Sequence, residues 1–292
     1  MSFDVSKAME WAYKDMLTFF PENVSTFGSE LDELFAMIYY ASVAIFFITY
    51  GILIAFIIMY RHQEGRRAYH YHGNNLMEFT WTLLPTFLFA GIGLWSDDAW
   101  TKSKSAYRVP NPDVTIDVLG YQSGFGWQFR YPGPDGVFGK KDRNQISTAN
   151  PFGIDSNDTK GKDDLVIISP GGARPVEAHL PINKNVLVNL SSNDALHSFF
   201  LPNFRVKQDA VPGQWIKGWF NGTKAGRYEI ACAELCGSGH YNMRGLLIMD
   251  SQQDYDAWLD QQYKLKKPEA APSADTTATL AAAPDSTKTK KN

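Results

Sequence analysis

The feature that most constrains this chain is an uninterrupted apolar run over residues 34–60. The run reads LFAMIYYASVAIFFITYGILIAFIIMY and contains no charged side chain. As an α-helix it rises about 1.5 Å per residue, which is enough to cross a hydrocarbon core roughly 30 Å thick. The sequence therefore predicts a transmembrane helix over residues 34–60.

A second apolar segment, at residues 76–98, predicts a second span. It contains one carboxylate near its start, Glu78, and one proline, Pro85. Both are tolerated in a span whose polar face packs against protein rather than lipid. The first run begins too far from Met1, and is too long, to be the apolar core of a cleaved signal peptide. We therefore expect residues 1–33 to be retained as an exported N-terminal segment.

The segment between the two spans sets the expected orientation. Residues 61–75 carry Arg61, Arg66 and Arg67 together with three histidines, and form the most basic flank of either helix. Cytoplasmic loops are enriched in Lys and Arg, so we expect this loop to be cytoplasmic and both termini to lie on the opposite side. A second metal or lipid site is the alternative to a solvated, headgroup-facing loop.

The N-terminal flank of the first span supports two further predictions. Residues 1–28 mix aromatic and charged side chains, which is typical of a short helix at a membrane surface and equally of a helix packed on another subunit. Ser29, followed by Asp32, resembles an N-cap with a carboxylate in the first turn. This pair predicts that the first long helix begins at Ser29.

Beyond the second span the chain changes to short runs of alternating apolar and polar residues, separated by Gly, Pro and Asn. This period of two is typical of strands with one buried face, and favours an all-β sandwich or barrel over residues 113–250. The runs are residues 114–119, 165–168, 185–190, 214–220, 227–230 and 244–249. An aperiodic stretch at residues 132–164, rich in Gly, Asn, Asp and Lys, predicts a surface insertion between strands.

The end of the chain and its overall charge complete the outline. Residues 251–267 are expected to form a C-terminal helix. Residues 268–292 are rich in Ala, Pro, Thr and Ser, have little apolar surface to bury, and are expected to be disordered. The net charge of −3 argues against nucleic acid as a partner.

One loop near the C-terminal end concentrates soft metal ligands. Residues 232–243, CAELCGSGHYNM, contain both cysteines of the chain, followed by a histidine and a methionine at intervals of four, four and three. Thiolates and a thioether favour copper, whereas zinc rarely takes a thioether and magnesium or calcium prefer oxygen. The alternatives are a Cys232–Cys236 disulfide and a structural zinc site. The sequence favours a copper site.

A two-helix hairpin followed by an exported β domain with the motif C-x-x-x-C-x-x-x-H-x-x-M resembles subunit II of the haem-copper cytochrome c oxidases. A second segment, residues 194–213 (DALHSFFLPNFRVKQDAVPG), supports the resemblance independently. The resemblance implies an N-terminal two-helix transmembrane hairpin, a C-terminal all-β cupredoxin-like barrel and a binuclear copper centre, Cu(A). The implied copper ligands, with the histidine of the second segment supplied from a separate loop, are His197, Cys232, Cys236, His240, Met243 and the backbone carbonyl of Glu234.

The resemblance also assigns roles to two carboxylates. Glu234, between the two cysteines, is implied to bind a Mg²⁺ ion shared with subunit I, and a carboxylate suits this hard cation. A solvated loop carboxylate is the alternative. Glu78 opens the segment EFTWTLLP, which resembles the family's E-x-x-W-T-x-x-P and implies a role at the entrance of a proton pathway. Contact with water or lipid headgroups is the alternative for Glu78.

The aromatic run through which the family accepts electrons is altered in this chain. The family usually shows G-Q-W-x-W-x-F-x-Y, whereas residues 120–132 read GYQSGFGWQFRYP and carry two extra residues. Trp127 matches the second tryptophan of that run, which leaves Phe125 or Tyr121 at the position of electron entrance. We hypothesise that the insertion at residues 132–164 shapes an unusual donor surface; the alternative is that the run is barrel core.

The function implied is that of the Cu(A)-bearing subunit of an aa3-type respiratory oxidase in a bacterial inner membrane, with both termini and the copper domain on the periplasmic side. Such a subunit accepts electrons from a c-type cytochrome and passes them to haem in subunit I, where O2 reduction is coupled to proton pumping. Subunit III is a further implied partner.

The electron donor is expected to be a separate protein, because no C-x-x-C-H motif for haem attachment occurs. A soluble c-type cytochrome and a haem subunit of a neighbouring complex both fit. The alternatives for the chain's function are a quinol oxidase-type subunit II, which lacks the copper ligands, and a membrane-anchored copper-binding protein that is not an electron conduit.

Overall fold

The structure, a computed structural model, describes residues 20–104, 110–122, 126–168 and 175–266. Within these residues two long helices are followed by a β domain and a C-terminal helix. Three sequence expectations concern residues outside the described part: the first 19 residues of the N-terminal segment, the tail after residue 267, and Phe125.

The two long helices are α1, Gly28–Met59, and α2, Asn75–Lys104. Both are long and apolar enough to cross a membrane, and 0% of the most apolar stretch of either is buried within the chain. Apolar faces left uncovered by the chain itself require lipid or other subunits around them. The side chain of Asn74 caps α2, because its Oδ1 accepts from the backbone N–H groups of Leu76 (3.0 Å) and Met77 (3.2 Å).

The predicted N-cap at Ser29 is wrong. The helix α1 begins one residue earlier, at Gly28. Phe27 is its N-cap residue, and no side-chain hydrogen bond caps the helix there. Asp32 is instead buried and binds the guanidinium of Arg205, with Nε 2.6 Å and Nη2 3.0 Å from its two oxygens. Asp32 therefore serves as a charged partner for the β domain and not as a first-turn carboxylate of α1.

The β domain contains two five-stranded sheets. Their strands are β1 Val114–Tyr121, β2 Gly126–Tyr131, β3 Leu165–Ile167, β4 Val176–Pro181, β5 Asn185–Ser192, β6 His197–Leu201, β7 Val206–Ala210, β8 Ile216–Asn221, β9 Gly226–Cys232 and β10 Gly245–Asp250. The strand orders are β3-β2-β1-β5-β8 and β4-β10-β9-β6-β7. Most neighbouring strands are antiparallel, but β1 pairs with β5, and β10 with β4, in parallel.

The six predicted runs correspond to β1, β3, β5, β8, β9 and β10, with ends that differ by one or two residues. The strands β2, β4, β6 and β7 were not predicted. In β2 five consecutive residues are buried, and in β6 four of five are buried. A strand covered on both faces has no period of two, so alternation does not reveal it.

The insertion between β2 and β3 is attached to the barrel by buried charges. Arg130, in β2, is fully buried and binds the carboxylates of Asp117 (3.2 Å from Nη1) and Asp164 (2.9 Å from Nε). The same Asp164 accepts from the backbone N–H groups of Gly133 and Gly139. The predicted surface insertion is therefore anchored in the interior at its C-terminal end, because its last carboxylate compensates a buried arginine.

Two further contacts fix the helices against the barrel. Near the C-terminal end of α2, Nε1 of Trp219 donates to the backbone oxygen of Lys102 at 3.2 Å. The C-terminal helix, α3, covers Gln252–Lys266, and Trp258 on it stacks on His179 with ring centroids 4.4 Å apart. Together with the Asp32–Arg205 pair, these contacts join the hairpin, barrel and last helix around a continuous core.

Candidate metal centre

The cysteine loop connects β9 with β10 and is built from short, fixed pieces. Cys232 is the last residue of β9, a short 3-10 helix covers His240–Asn242, and Met243 follows immediately. Gly237 has a φ of +132°, a backbone conformation that residues other than glycine rarely adopt. The chain can therefore reverse direction between Cys236 and His240 and bring their side chains together.

The predicted ligands of this loop contact one another. Sγ of Cys232 lies 3.9 Å from Sγ of Cys236 and 3.2 Å from the backbone oxygen of Glu234. Sγ of Cys236 lies 3.5 Å from Nδ1 of His240 and 3.3 Å from Sδ of Met243. Both cysteines are free thiols, so the structure has the donor atoms of a metal site rather than a disulfide, whose sulfurs would be about 2.05 Å apart.

The histidine of the second segment reaches the same point from another part of the chain. His197 is fully buried, and its Nδ1 lies 3.9 Å from Sγ of Cys232. The sequence resemblance placed it on a loop, whereas it is the first residue of β6. This strand pairs with β9, and Phe199 lies opposite Cys232, so sheet pairing brings the imidazole to the cysteines.

One ligand atom from each of His197, Cys232 and Cys236 lies within 4.8 Å of the others. Two thiolates, two imidazoles and a thioether form a soft donor set, which suits copper. Because these donor atoms converge on one point, the residues present fit a copper centre. A structural zinc site is a poorer match, since Met243 is buried with its sulfur directed at Cys236.

The second ring nitrogen of His197 is held by a carboxylate that the sequence analysis did not single out. Nε2 of His197 lies 2.8 Å from Oδ1 of Asp194, three residues earlier. A proton on Nε2 leaves the lone pair of Nδ1 directed toward the cysteines, as in the carboxylate–histidine pairs of metal sites. The sequence signal for this role was the position of Asp194, three residues before the candidate ligand His197.

The two thiols differ in pKa because their surroundings differ. Burial opposes ionisation of Cys232, but hydrogen bonds with His197 and with the backbone of Ser198 and Glu234 lower its pKa to about 6. Burial, reinforced by the neighbouring charge of Cys232, raises the pKa of Cys236 to about 12. Burial lowers the pKa of His197, but Cys232 and Asp194 outweigh it, so the net shift is upward. A thiolate beside an imidazole is a ready ligand for a cation.

An aromatic wall closes the inner side of the site. Trp127 is fully buried, and its ring makes edge contacts with His197 (centroids 6.1 Å apart) and Phe199 (5.1 Å). Room for the imidazole depends on Gly120, because a Cβ at that position would lie 2.7 Å from Cδ2 of His197. The wall excludes water and limits movement of the ligand ring.

The other predicted site residues lie at differing distances from this cluster. Glu234 is half-buried in the cysteine loop. Glu78 is exposed in the first turn of α2, at the end of the helix opposite Lys102, which contacts the β domain. Trp127 lies in the core and does not reach the surface, whereas Tyr121 is half-buried at the end of β1. Phe125 is outside the described residues.

Two family models match the chain. The model for the cytochrome c oxidase subunit II transmembrane domain matches residues 12–97, and that for the periplasmic domain matches residues 174–249. An alternative cytochrome c oxidase subunit 2 from Bradyrhizobium diazoefficiens is 36% identical over 70% of this chain and 70% of its own length. The chain belongs to the cytochrome c oxidase subunit II family.

Other proteins are also similar to this chain. The cytochrome c oxidase subunit 2 of Thermostichus vulcanus is 30% identical over 87% of this chain and 81% of its own length. The crystal structure of the periplasmic domain of subunit II (CoxB) of Bradyrhizobium japonicum is 26% identical, covers 55% of this chain and 99% of that domain, and gives a TM-score of 0.40. A similar subunit II domain has been solved as a mixed disulfide with a thioredoxin-like protein, with 26% identity, 56% and 99% coverage and a TM-score of 0.38.

As a subunit II, the chain is part of a haem-copper oxidase, an oxidoreductase complex that also contains subunit I. The expected fold is confirmed: two apolar N-terminal helices form the transmembrane domain and precede an all-β, cupredoxin-like periplasmic domain. This organisation is consistent with an inner-membrane protein, and a Cu(A)-type role is consistent with the cluster of His197, Cys232 and Cys236.

Proposed function

We propose that this subunit II carries the binuclear Cu(A) centre of an aa3-type respiratory oxidase. It accepts one electron at a time from a c-type cytochrome and delivers it to haem in subunit I, where O2 reduction is coupled to proton pumping. The observation that carries the proposal is the convergence of the two cysteine sulfurs with Nδ1 of His197 and His240, Sδ of Met243 and the backbone oxygen of Glu234.

Each proposed ligand has a distinct role. Cys232 and Cys236 would supply two sulfur ligands, whose Sγ atoms lie 3.9 Å apart, and His197 and His240 would each supply the Nδ1 that contacts one of these sulfurs. The Met243 thioether and the Glu234 carbonyl would add weaker donors. When bound, a copper pair supplies a one-electron acceptor whose charge is shared by both metals. The protein's contribution is rigidity: a buried His197 held by Asp194, and a Met243 enclosed by the core, change little when the charge changes.

The finer assignments belong to the same proposal. Glu234 would hold Mg²⁺ at the contact with subunit I, because its carboxylate lies in the loop between the two sulfur ligands. Glu78, an exposed carboxylate in the first turn of α2, would receive protons from the cytoplasmic side. The basic loop between α1 and α2 would then be cytoplasmic, with both termini and the β domain in the periplasm, and subunit III and membrane lipid would complete the surroundings.

The electron donor is proposed to be a separate c-type cytochrome or a haem subunit of a neighbouring complex. Trp127 is buried against His197, so it is placed to transmit an electron inward rather than to contact a donor. Tyr121, at the end of β1, and Phe125, which directly precedes Gly126 in the sequence, are the candidates for the donor-facing position. The insertion that follows β2 would shape the surface around them.

Spectroscopy of the intact oxidase tests the proposal. A delocalised pair of copper ions gives a seven-line EPR pattern and near-infrared absorption, and we expect both, with two copper ions per subunit II and electron acceptance from a reduced c-type cytochrome. A single copper, or zinc, would favour a membrane-anchored metal-binding protein. Reduction by quinol without any copper signal would favour a quinol oxidase-type subunit.

A further inference from the structure

Gln122, the residue after β1, lies between the two segments that carry the candidate metal ligands. Its backbone N–H donates to Oδ2 of Asp194 at 2.8 Å. The other oxygen of the same carboxylate, Oδ1, accepts from Nε2 of His197 at 2.8 Å. One carboxylate therefore ties the end of β1 to the histidine ligand of β6.

The side chain of Gln122 reaches the other segment, the cysteine loop. A glutamine amide has two orientations that exchange its oxygen and nitrogen, and the neighbouring groups decide between them. With the oxygen toward the loop, it accepts from the backbone N–H groups of Gly239 (2.7 Å) and Ser238 (3.1 Å). The opposite orientation would set donors against donors, so the oxygen-inward orientation is the one that satisfies the loop.

The glycines of the cysteine loop leave the space that this amide occupies. A Cβ on Gly237 would lie 2.7 Å from the amide nitrogen position of Gln122, and one on Gly239 would lie 3.3 Å from it. The first distance is closer than packed side chains permit, and the second would force a shift. Gly237 and Gly239 therefore allow the loop to close over Gln122 as well as to turn.

We infer that Gln122 is a positioning residue for the metal centre. Its backbone fixes the Asp194–His197 pair and its side chain fixes the turn between Cys236 and His240, so one residue sets the distance between the two ligand-bearing segments. The inference rests on the proposed copper function and adds a residue that orients the ligands. Each of these contacts joins two protein groups, so the contacts can be tested separately from copper binding.

The test uses hydrogen exchange of the full-length, metal-free chain in detergent. Gln122→Met keeps the size of the side chain but removes the acceptor, whereas Gln122→Glu retains two acceptor oxygens. We expect Gln122→Met to speed exchange of peptides covering residues 237–239 about tenfold, which is the effect of losing one or two hydrogen bonds. Gln122→Glu should remain closer to wild type. Gln252→Met, which removes an exposed hydrogen bond to Asp256 on α3, is the matched control.

A second readout uses copper. In the copper-loaded chain, Gln122→Met should lose copper to a chelator about tenfold faster than wild type or Gln252→Met, as expected for loss of a group that orients ligands. Unchanged exchange at residues 237–239 in Gln122→Met would overturn the inference. So would faster exchange spread over the whole barrel, because that would mark Gln122 as general packing. If exchange responds locally but the wild-type chain binds no copper pair, the positioning role stands and the proposed function fails.

Discussion

Oδ1 of Asp194 lies 2.8 Å from Nε2 of His197, while Nδ1 of the same ring faces Sγ of Cys232 at 3.9 Å. The carboxylate thus selects which nitrogen of a fully buried imidazole carries the proton and which is free to bind metal. A residue that is not itself a proposed ligand therefore controls the chemistry of one that is. This relationship leads to the first prediction.

Replacing Asp194 with alanine should weaken copper binding about 10- to 100-fold, because the tautomer and orientation of His197 are no longer held. Competition with a chelator in the full-length chain measures this change. Asp256→Ala, on the exposed face of α3, is the matched control and should bind copper as the wild type does. Equal affinities for Asp194→Ala and this control would contradict the role given to Asp194.

Replacing residues of the aromatic run should locate the electron entrance. We expect Tyr121→Ala or Phe125→Ala to lower the rate of electron acceptance from a reduced c-type cytochrome in the intact oxidase. Trp127→Phe should lower it less, since Trp127 is buried and cannot contact a donor directly. Stopped-flow absorbance measures the rate, and the copper spectrum shows whether each variant keeps its centre. Unchanged rates in all three variants would place the entrance elsewhere.

Replacing Arg130 with methionine should destabilise the barrel by about 3–5 kcal/mol, because the carboxylates of Asp117 and Asp164 are then buried without this partner. Arg227→Met is the control: it breaks an exposed pair with Glu177 and should cost no more than about 1 kcal/mol. Denaturant unfolding of the full-length chain compares the two. We also expect proteolysis of the insertion to accelerate only in Arg130→Met, and equal losses of stability would contradict the anchoring role.

The stability of the β domain should fall as the pH rises above about 10. Burial raises the pKa of Tyr131, and also that of Tyr255, above the ordinary value of tyrosine. Above pH 10 the unfolded chain releases these protons while the folded chain keeps them, so alkali favours unfolding. Tyr255→Phe should reduce this dependence, whereas Tyr71→Phe, in the exposed loop between α1 and α2, should not. Denaturant unfolding at pH 9 and pH 11 measures how far the free energy of unfolding falls between the two pH values. An equal fall in both variants would refute the role given to Tyr255.

The sequence alone determined those features that depend on local composition and spacing. An uncharged run such as residues 34–60 must lie in an apolar surrounding whatever the rest of the chain does. The cysteine loop could be predicted to bind a soft metal because four of the proposed ligands lie within twelve residues of one another. The alternating strands were equally visible, since one buried face imposes a period of two.

Tertiary structure decided what depends on residues far apart in the chain. Pairing of β6 with β9 brings His197 to Cys232, and the end of β1 brings Gln122 to both ligand segments. The largely buried strands β2 and β6, and the Arg130 cluster that anchors the insertion, carry no local periodic signal. Soft ligands are recognisable by type, but the polar groups that orient them gain their role only from the contacts that folding creates.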